Sequence, residues 1–369
     1  MKTVKYADEK IKSWDIMIAV PSMVIAVGII GFPRVLAGGT IAADGWVSII
    51  FGGLIAVLFT WIVAKLAANF PNQSFLTYAS SLVTKPIAIV LTFLFAINGI
   101  LVTAFEVRSI SDVSHQYLFE KTPIEVVSLT FLLVVVYAVS GARAGIFRLN
   151  TLFLPIIFLT TLFLVFFSIG YMEADNMLPM FKTDLHGYLR GAKDSTLSYT
   201  GISILLFYIS LVRNPKRAPS RAALGMSSAV ILYLFVYLTC IAIFGDITTA
   251  NIRYPYIELA KSIEIPGGFF ERTESIFFTI WIMAIFTTTA MALDISVMAL
   301  NSIFPNITKM KIILFLSPFI FLLSLIPKDF LEMTTIANFL SYFGWGLTGG
   351  VVILFWAIYK VKGVKQREK

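Results

Sequence analysis

Of 369 residues, 58% are hydrophobic and only 14% charged, where a soluble domain carries roughly 25% charged residues. The composition therefore predicts a polytopic membrane protein and excludes a sizeable soluble domain. A formal net charge of +8 does not point to nucleic acid, because the basic residues gather in short loops and at both ends, where they orient a membrane chain.

The polar, Lys-rich segment Met1–Lys12 precedes the first of ten apolar runs. Each run approaches the ~20 residues needed to span hydrocarbon. They cover Trp14–Leu36, Gly45–Ala68, Pro86–Tyr117, Pro123–Val139, Ile146–Tyr171, Ala192–Val212, Arg221–Phe244, Phe269–Phe304, Ile312–Ile326 and Thr334–Val361. The first is too long for a signal-peptide core and ends in no small-residue cleavage site, so it is read as a retained helix. Lys65, Lys85, Arg143, Arg148, Lys216, Arg217, Lys309, Lys311 and the Lys-rich ends fall on one side of this scheme. Acids such as Asp44, Asp112, Glu120, Asp184 and Glu258 collect on the other. By the positive-inside rule both termini are cytoplasmic. Two longer outer loops stand out. Glu173 to Lys193 is mixed in charge, and Gly245 to Gly268 reads either as a short amphipathic lid or as a solvated loop.

The first run contains Val27-Gly28-Ile29-Ile30-Gly31-Phe32-Pro33-Arg34. Two glycines without side chains and a proline without an N–H predict an opened helix here. Opened backbone is tolerated in a membrane only where protein buries it or a cavity receives it. The sixth run holds Ser198-Tyr199-Thr200-Gly201-Ile202-Ser203, small and hydroxylated residues around one glycine. Five runs precede it, so the two weak helices open each half of a five-plus-five repeat, an arrangement that marks transporter-type binding sites. The expected fold is an all-α polytopic membrane protein of ten transmembrane helices. It forms an inverted repeat with broken helices 1 and 6, in one domain over 1–369. Repeat one runs about 13–171 and repeat two about 192–361, with short tails 1–12 and 362–369.

Catalytic chemistry finds little support. Cys240 is the single cysteine, so no intramolecular disulfide can form. His115 and His186 are the only histidines and lie near outer loops. No metal-ligand cluster, nucleophile–base spacing or phosphate loop is present, and Ala37-Gly38-Gly39-Thr40 lacks the lysine of a P-loop. No enzyme activity, cofactor or metal is expected.

With these features the chain resembles the spore germination permeases, the B subunits of nutrient germinant receptors of endospore-forming bacteria, within the amino acid–polyamine–organocation superfamily. The resemblance spans nearly the whole chain. It rests on Gly28 to Pro33, Asp44-Gly45-Trp46, Asn69-Phe70-Pro71 with Tyr78, Arg108, Lys121-Thr122-Pro123 and Gly145 to Arg148. It continues with Asn214-Pro215 and with Phe269-Phe270-Glu271-Arg272 before Trp281. The resemblance implies recognition of a small nutrient, commonly an L-amino acid, and assembly with A and C receptor subunits in the spore inner membrane or cell membrane. In related permeases the first-helix break holds the ligand carboxylate and the sixth-helix break its amine. Matched by motif, Val27, Gly28 and Ile29 take the first role here, and Leu197, Ser198 and Thr200 the second, with Gly201 as hinge; Gly31 is a further expected ligand-binding residue. Ala26-Val27-Gly28 stands where those permeases have a glycine-small-glycine triplet.

Further candidates are intramembrane polar residues, which are functional hypotheses by default. Asn98 crosses the break level and either meets the ligand or bridges helices. Glu106 is expected to wall the outer path, and Arg108 to pair with Asp112. In the eighth helix, Thr287 and Thr288 either serve an ion path or satisfy opened backbone. Asp294 either pairs with Lys65, Arg143 or Lys309 or relays a proton. Some proton-coupled relatives carry a lysine in the middle of the fifth helix, where this chain reads Leu154-Pro155-Ile156-Ile157. The expected function is a nutrient-sensing receptor subunit. The alternatives are a stand-alone amino-acid transporter and a ligand-gated ion channel subunit. Ile29, Ile30, Phe32 and Phe207 suggest a small apolar amino acid as ligand.

Overall fold

A computed structural model describes residues 11–262 and 273–362. Six helices are each long and apolar enough to cross a membrane: Ala42–Ala68, Lys85–Tyr117, Arg143–Tyr171, Pro215–Asn251, Phe277–Ile303 and Phe330–Val361. A seventh crossing is a bent pair, α1 (Ser13–Val24) and α2 (Val27–Ala37), meeting at 56°. Chain order continues with α3 (Gly45–Ala68), a short α4 (Phe75–Leu82), α5 (Lys85–Tyr117), α6 (Ile124–Ser140) and α7 (Arg143–Ser168). The sixth span is α8 (Leu185–Ser198), an unwound link and α9 (Ile204–Tyr208). The rest are α10 (Ala218–Asn251), α11 (Pro255–Ser262), α12 (Thr273–Ile303), α13 (Lys309–Ser324) and α14 (Phe330–Lys362). These make ten spans, with the first and sixth broken.

The first break falls slightly earlier than the Gly28–Pro33 stretch suggests. Ile25 (ψ 82°) and Ala26 (φ −135°, ψ −119°) leave helical geometry, while Pro33 sits inside α2 without ending it. Pro33 lies in the second turn, so its missing N–H leaves only the carbonyl of Ile29 without its usual donor. Upstream, Pro21 removes the N–H that would bond the Met17 carbonyl. Gly225 of α10 packs against that carbonyl so closely that a Cβ there would collide with it.

The sixth span also differs from expectation at its outer end. Helix α8 begins at Leu185, seven residues before Ala192, and so absorbs half of the expected outer loop. With 14 residues, LHGYLRGAKDSTLS, among them Arg190, Lys193 and Asp194, it is too short to cross a membrane alone. Asp184 caps it through Gly187 N–H at 2.8 Å. The buried Asp44 carboxylate secures the preceding loop, accepting from the N–H groups of Phe181, Lys182 and Thr183 at 2.6–2.8 Å. Three backbone donors thus compensate an otherwise costly buried charge.

Of the two readings of the Gly245–Gly268 loop, its described part is no solvated loop but a short helix, α11, whose Tyr256, Ile257, Leu259 and Ala260 are buried, with α2 and α12 as its neighbours. It follows a kink in α10 at Gly245, where φ is +71°. Pro266-Gly267-Gly268 and Phe269–Arg272 lie outside the described residues. At the opposite end, Ile11 pairs with the end of the sixth span. Its N–H donates to Leu211 O at 3.1 Å, and its carbonyl accepts from Arg213 N at 2.9 Å. Beside it, Phe75 packs on Phe95 and Phe207 with ring centroids 5.1 and 4.8 Å apart. Tyr78 Oη donates to Leu206 O at 2.9 Å. Rings packed at these separations seal this half.

Candidate functional site

A cavity of about 620 Å³ lies between the two breaks and runs from them toward the end of the molecule that carries Arg34, Arg190 and Arg253. Pockets of roughly 300–1,000 Å³ are the usual range for small ligands. Its floor is the break level. Helix α2 starts there at Val27, so its first-turn N–H groups have no intrahelical acceptor and bring the positive end of the helix dipole. Facing it, α8 ends at Ser198, where the last carbonyls lack intrahelical donors. Gly201, at φ +88°, lets the chain turn through a conformation that side-chain-bearing residues rarely adopt.

Side chains from two other helices hold the first break open. Thr288 of α12 donates to Ser22 O at 2.7 Å, Tyr233 of α10 to Val24 O at 3.0 Å, and Trp281 of α12 to Ala26 O at 3.2 Å. Thr288 satisfies the Ser22 carbonyl, which loses its helical donor because Ala26 N–H turns to Val24 O at 3.1 Å and which would be costly to leave unpaired in an apolar setting. Tyr233 adds a second donor at Val24 O, and Trp281 one at the N-cap carbonyl of α2. Of the two roles weighed for Thr288, the geometry supplies the satisfaction of opened backbone. Gly28 lies directly against this scaffold: a Cβ there would stand 2.7 Å from Tyr233 Oη. A Cβ on Gly31 meets nothing within 4 Å.

Val27, Gly28, Gly31, Asn98, Glu106, Leu197, Ser198, Thr200, Gly201 and Thr288 all line the cavity. Three other candidates do not. Ile29 stands about 200° around α2 from Val27, given 100° per residue, and is 1% exposed in the packed interior. Thr287 is turned away and donates to Ala284 O at 2.8 Å in its own helix. Asp294 is fully buried on the far side of the breaks, where it accepts from Arg143 Nε at 2.6 Å and Tyr208 Oη at 3.1 Å. Among the pocket side chains expected to set specificity, Phe32 lines the cavity, while Ile29, Ile30 and Phe207 pack elsewhere. Arg108 does not pair with Asp112. Its guanidinium reaches Lys328 O at 3.5 Å, because Arg253 and Tyr254 come across to take the Asp112 carboxylate.

Several wall residues escaped the sequence reading. One is the polar stripe Thr334, Asn338, Ser341, Trp345 and Thr348 on α14, facing Asn98, Val102, Glu106 and Ser109 on α5. Both sets recur at three- and four-residue spacing, so each occupies one helix face. Arg190 and Asp194 on α8 are also in the wall. Five polar atoms of lining residues are buried with no hydrogen-bond partner among the described residues: Asn98 Oδ1, Glu106 Oε2, Tyr199 Oη, Arg253 Nε and Trp345 Nε1. Buried polar groups are normally paired, so these mark where a guest's polar groups would be received.

Two broken helices around one central cavity define a broken-helix membrane protein of the transporter-fold class. The chain belongs to the family described as spore germination protein, whose profile matches residues 10–332. It is 40% identical over 367 residues to spore germination protein GerLB of Bacillus cereus, covering 98% of this chain and 97% of that one. It is also 28% identical to spore germination protein YndE of Bacillus subtilis (strain 168), covering 95% and 96%. Two solved structures share the fold. MhsT in complex with L-phenylalanine has TM-score 0.72 at 15% identity over 97% of this chain and 91% of that one. Mhp1, a nucleobase-cation-symport-1 family transporter in a closed conformation with bromovinylhydantoin bound, has TM-score 0.70 at 16% identity over 97% and 80%.

Proposed function

We propose that this integral membrane protein is the nutrient-sensing subunit of a spore germinant receptor, and that it binds a small germinant, an L-amino acid, between its two breaks. One observation carries the reading. A single cavity brings together the N–H-bearing start of α2 at Val27 and Gly28 and the carbonyl-bearing end of α8 at Leu197 and Ser198. A zwitterion offers a carboxylate to the first and an ammonium to the second. Phe32 and the apolar edge of the cavity receive the side chain. Binding that draws α2, α8 and α11 together shifts a two-state equilibrium only by its difference in affinity for the two states. A and C subunits read that shift in the spore inner membrane or cell membrane, with both termini of this chain cytoplasmic.

The fifth span bears on whether the chain also transports. In α7, the sequence Leu154-Pro155-Ile156-Ile157 offers no ionisable group at mid-span, which favours sensing over gradient-driven uptake. The test uses purified protein in nanodiscs and in proteoliposomes with a panel of labelled L-amino acids. Saturable binding of at least one, without accumulation driven by a proton or sodium gradient, is expected. Gradient-dependent accumulation would replace the sensor reading with a transporter.

A further inference from the structure

We propose that Glu106 is the counter-ion of the ligand's ammonium group, so that the cavity selects molecules carrying a protonated amine. The proposal rests on the amino-acid site described above and names the residue that gives it charge selectivity.

Glu106 is 6% exposed on the cavity-facing side of α5, and its Oε2 has no partner among the described residues. A carboxylate in such a place needs a proton or a cation, because burial penalises the bare charge. Two of the three arginines in the wall are committed elsewhere. Arg34 stacks on Phe330 and donates to Ala250 O at 3.3 Å, and Arg253 is paired with Asp112 and stacks on the same ring. No ion pair joins Glu106 to any basic side chain among the described residues. The backbone offers only part of what an ammonium requires. The first break's carbonyls at Ser22, Val24 and Ala26 are already taken by Thr288, Tyr233 and Trp281. The carbonyls at the end of α8 are neutral acceptors and leave the positive charge uncompensated. Of the two carboxylates in the wall, Asp194 is paired with Lys193 at 3.4 Å, and Glu106 is in no ion pair among the described residues.

The test is carbodiimide labelling of the full-length protein in nanodiscs, with dicyclohexylcarbodiimide as the probe and mass spectrometry of the Glu106 peptide as the readout. Alanine, leucine and phenylalanine are each supplied in three forms: the amino acid, its amide, which keeps only the ammonium, and the deaminated acid, which keeps only the carboxylate. An adduct at Glu106 is expected, slowed about tenfold by an amino acid and its amide, as a charge-assisted contact warrants. The deaminated acids, and sodium chloride at matched ionic strength, are expected to leave it unchanged. Absence of the adduct, equal slowing by the deaminated acid, slowing by sodium chloride, or no slowing by any amine would each overturn the proposal. Slowing by an amide without slowing by its amino acid would uphold Glu106 and overturn the amino-acid reading instead. A second measurement is binding to Glu106→Gln, which keeps the side chain's size. Affinity for the amino acid bound by the natural protein should fall about tenfold or more with thermal stability unchanged, and unaltered affinity would overturn the role.

Discussion

Three glycines at the breaks separate a site from a packing requirement. A leucine at Gly31 begins where a Cβ meets nothing within 4 Å, and it extends into the cavity. It also replaces a glycine inside α2, which favours the helix by up to about 1 kcal/mol. Gly31→Leu should therefore abolish ligand binding at unchanged or slightly raised thermal stability, measured by binding and melting on the same preparation. Gly28→Leu differs, because its Cβ meets the buried Tyr233 hydroxyl that holds the break open. Gly201→Leu adds strain at φ +88° and a collision with Met23, worth about 1–3 kcal/mol. Both should lose stability together with binding. The glycines themselves were legible in the sequence as the place where backbone must come close to something. What each approaches was not, because Tyr233 and Met23 are distant in sequence or on another element. Periodicity does expose the failure at Ile29, since one helix turn cannot aim Val27, Gly28 and Ile29 at the same space.

At the scale of elements, the first break is an assembly of three helices. Thr288→Val uncovers the Ser22 carbonyl at a cost of about 1–3 kcal/mol, and Tyr233→Phe and Trp281→Phe each remove one hydrogen bond at the break, about 0.5–1.5 kcal/mol apiece. Melting of each purified variant should show that loss, and binding should weaken with it as the start of α2 loses its fixed position. A second tie joins α7, α9 and α12 beyond the cavity floor, where Asp294 receives both Arg143 and Tyr208. Asp294→Ala leaves a poorly solvated guanidinium behind, and breaking a buried pair from one side costs about 3–5 kcal/mol. A corresponding fall in thermal stability, with the cavity wall itself untouched, is expected. Sequence reasoning named Arg143 among three partners for Asp294 but had no means to choose, since helix packing decides which cation arrives. The polar α8 shows the opposite difficulty. Hydropathy places a span where lipid touches the helix, and a half-helix that faces a cavity on one side and α3 on the other carries Arg190, Lys193 and Asp194 instead.

For the whole molecule, the run count, the pairing of breaks in corresponding positions and the basic side of the loops are enough to read a ten-span broken-helix fold from the chain. The cavity wall formed by α5 and α14 is not readable in that way, because small polar residues on apolar helices serve packing as readily as binding. Charge placement makes the orientation testable. Cysteines at the exposed Asp184 and Glu120 should label from outside intact cells, and those at the exposed Lys216 and Lys311 should label only after permeabilisation. Outside labelling at Lys216 would invert or break the ten-span scheme.

A nutrient site between the breaks is tested most directly by equilibrium binding of the labelled amino-acid panel to Gly31→Leu beside the natural protein, in lipid nanodiscs. Saturable binding to the natural protein and its loss in a Gly31→Leu protein that melts no lower is the expected result. Undiminished binding to that stable variant would place the ligand outside the cavity and contradict the site.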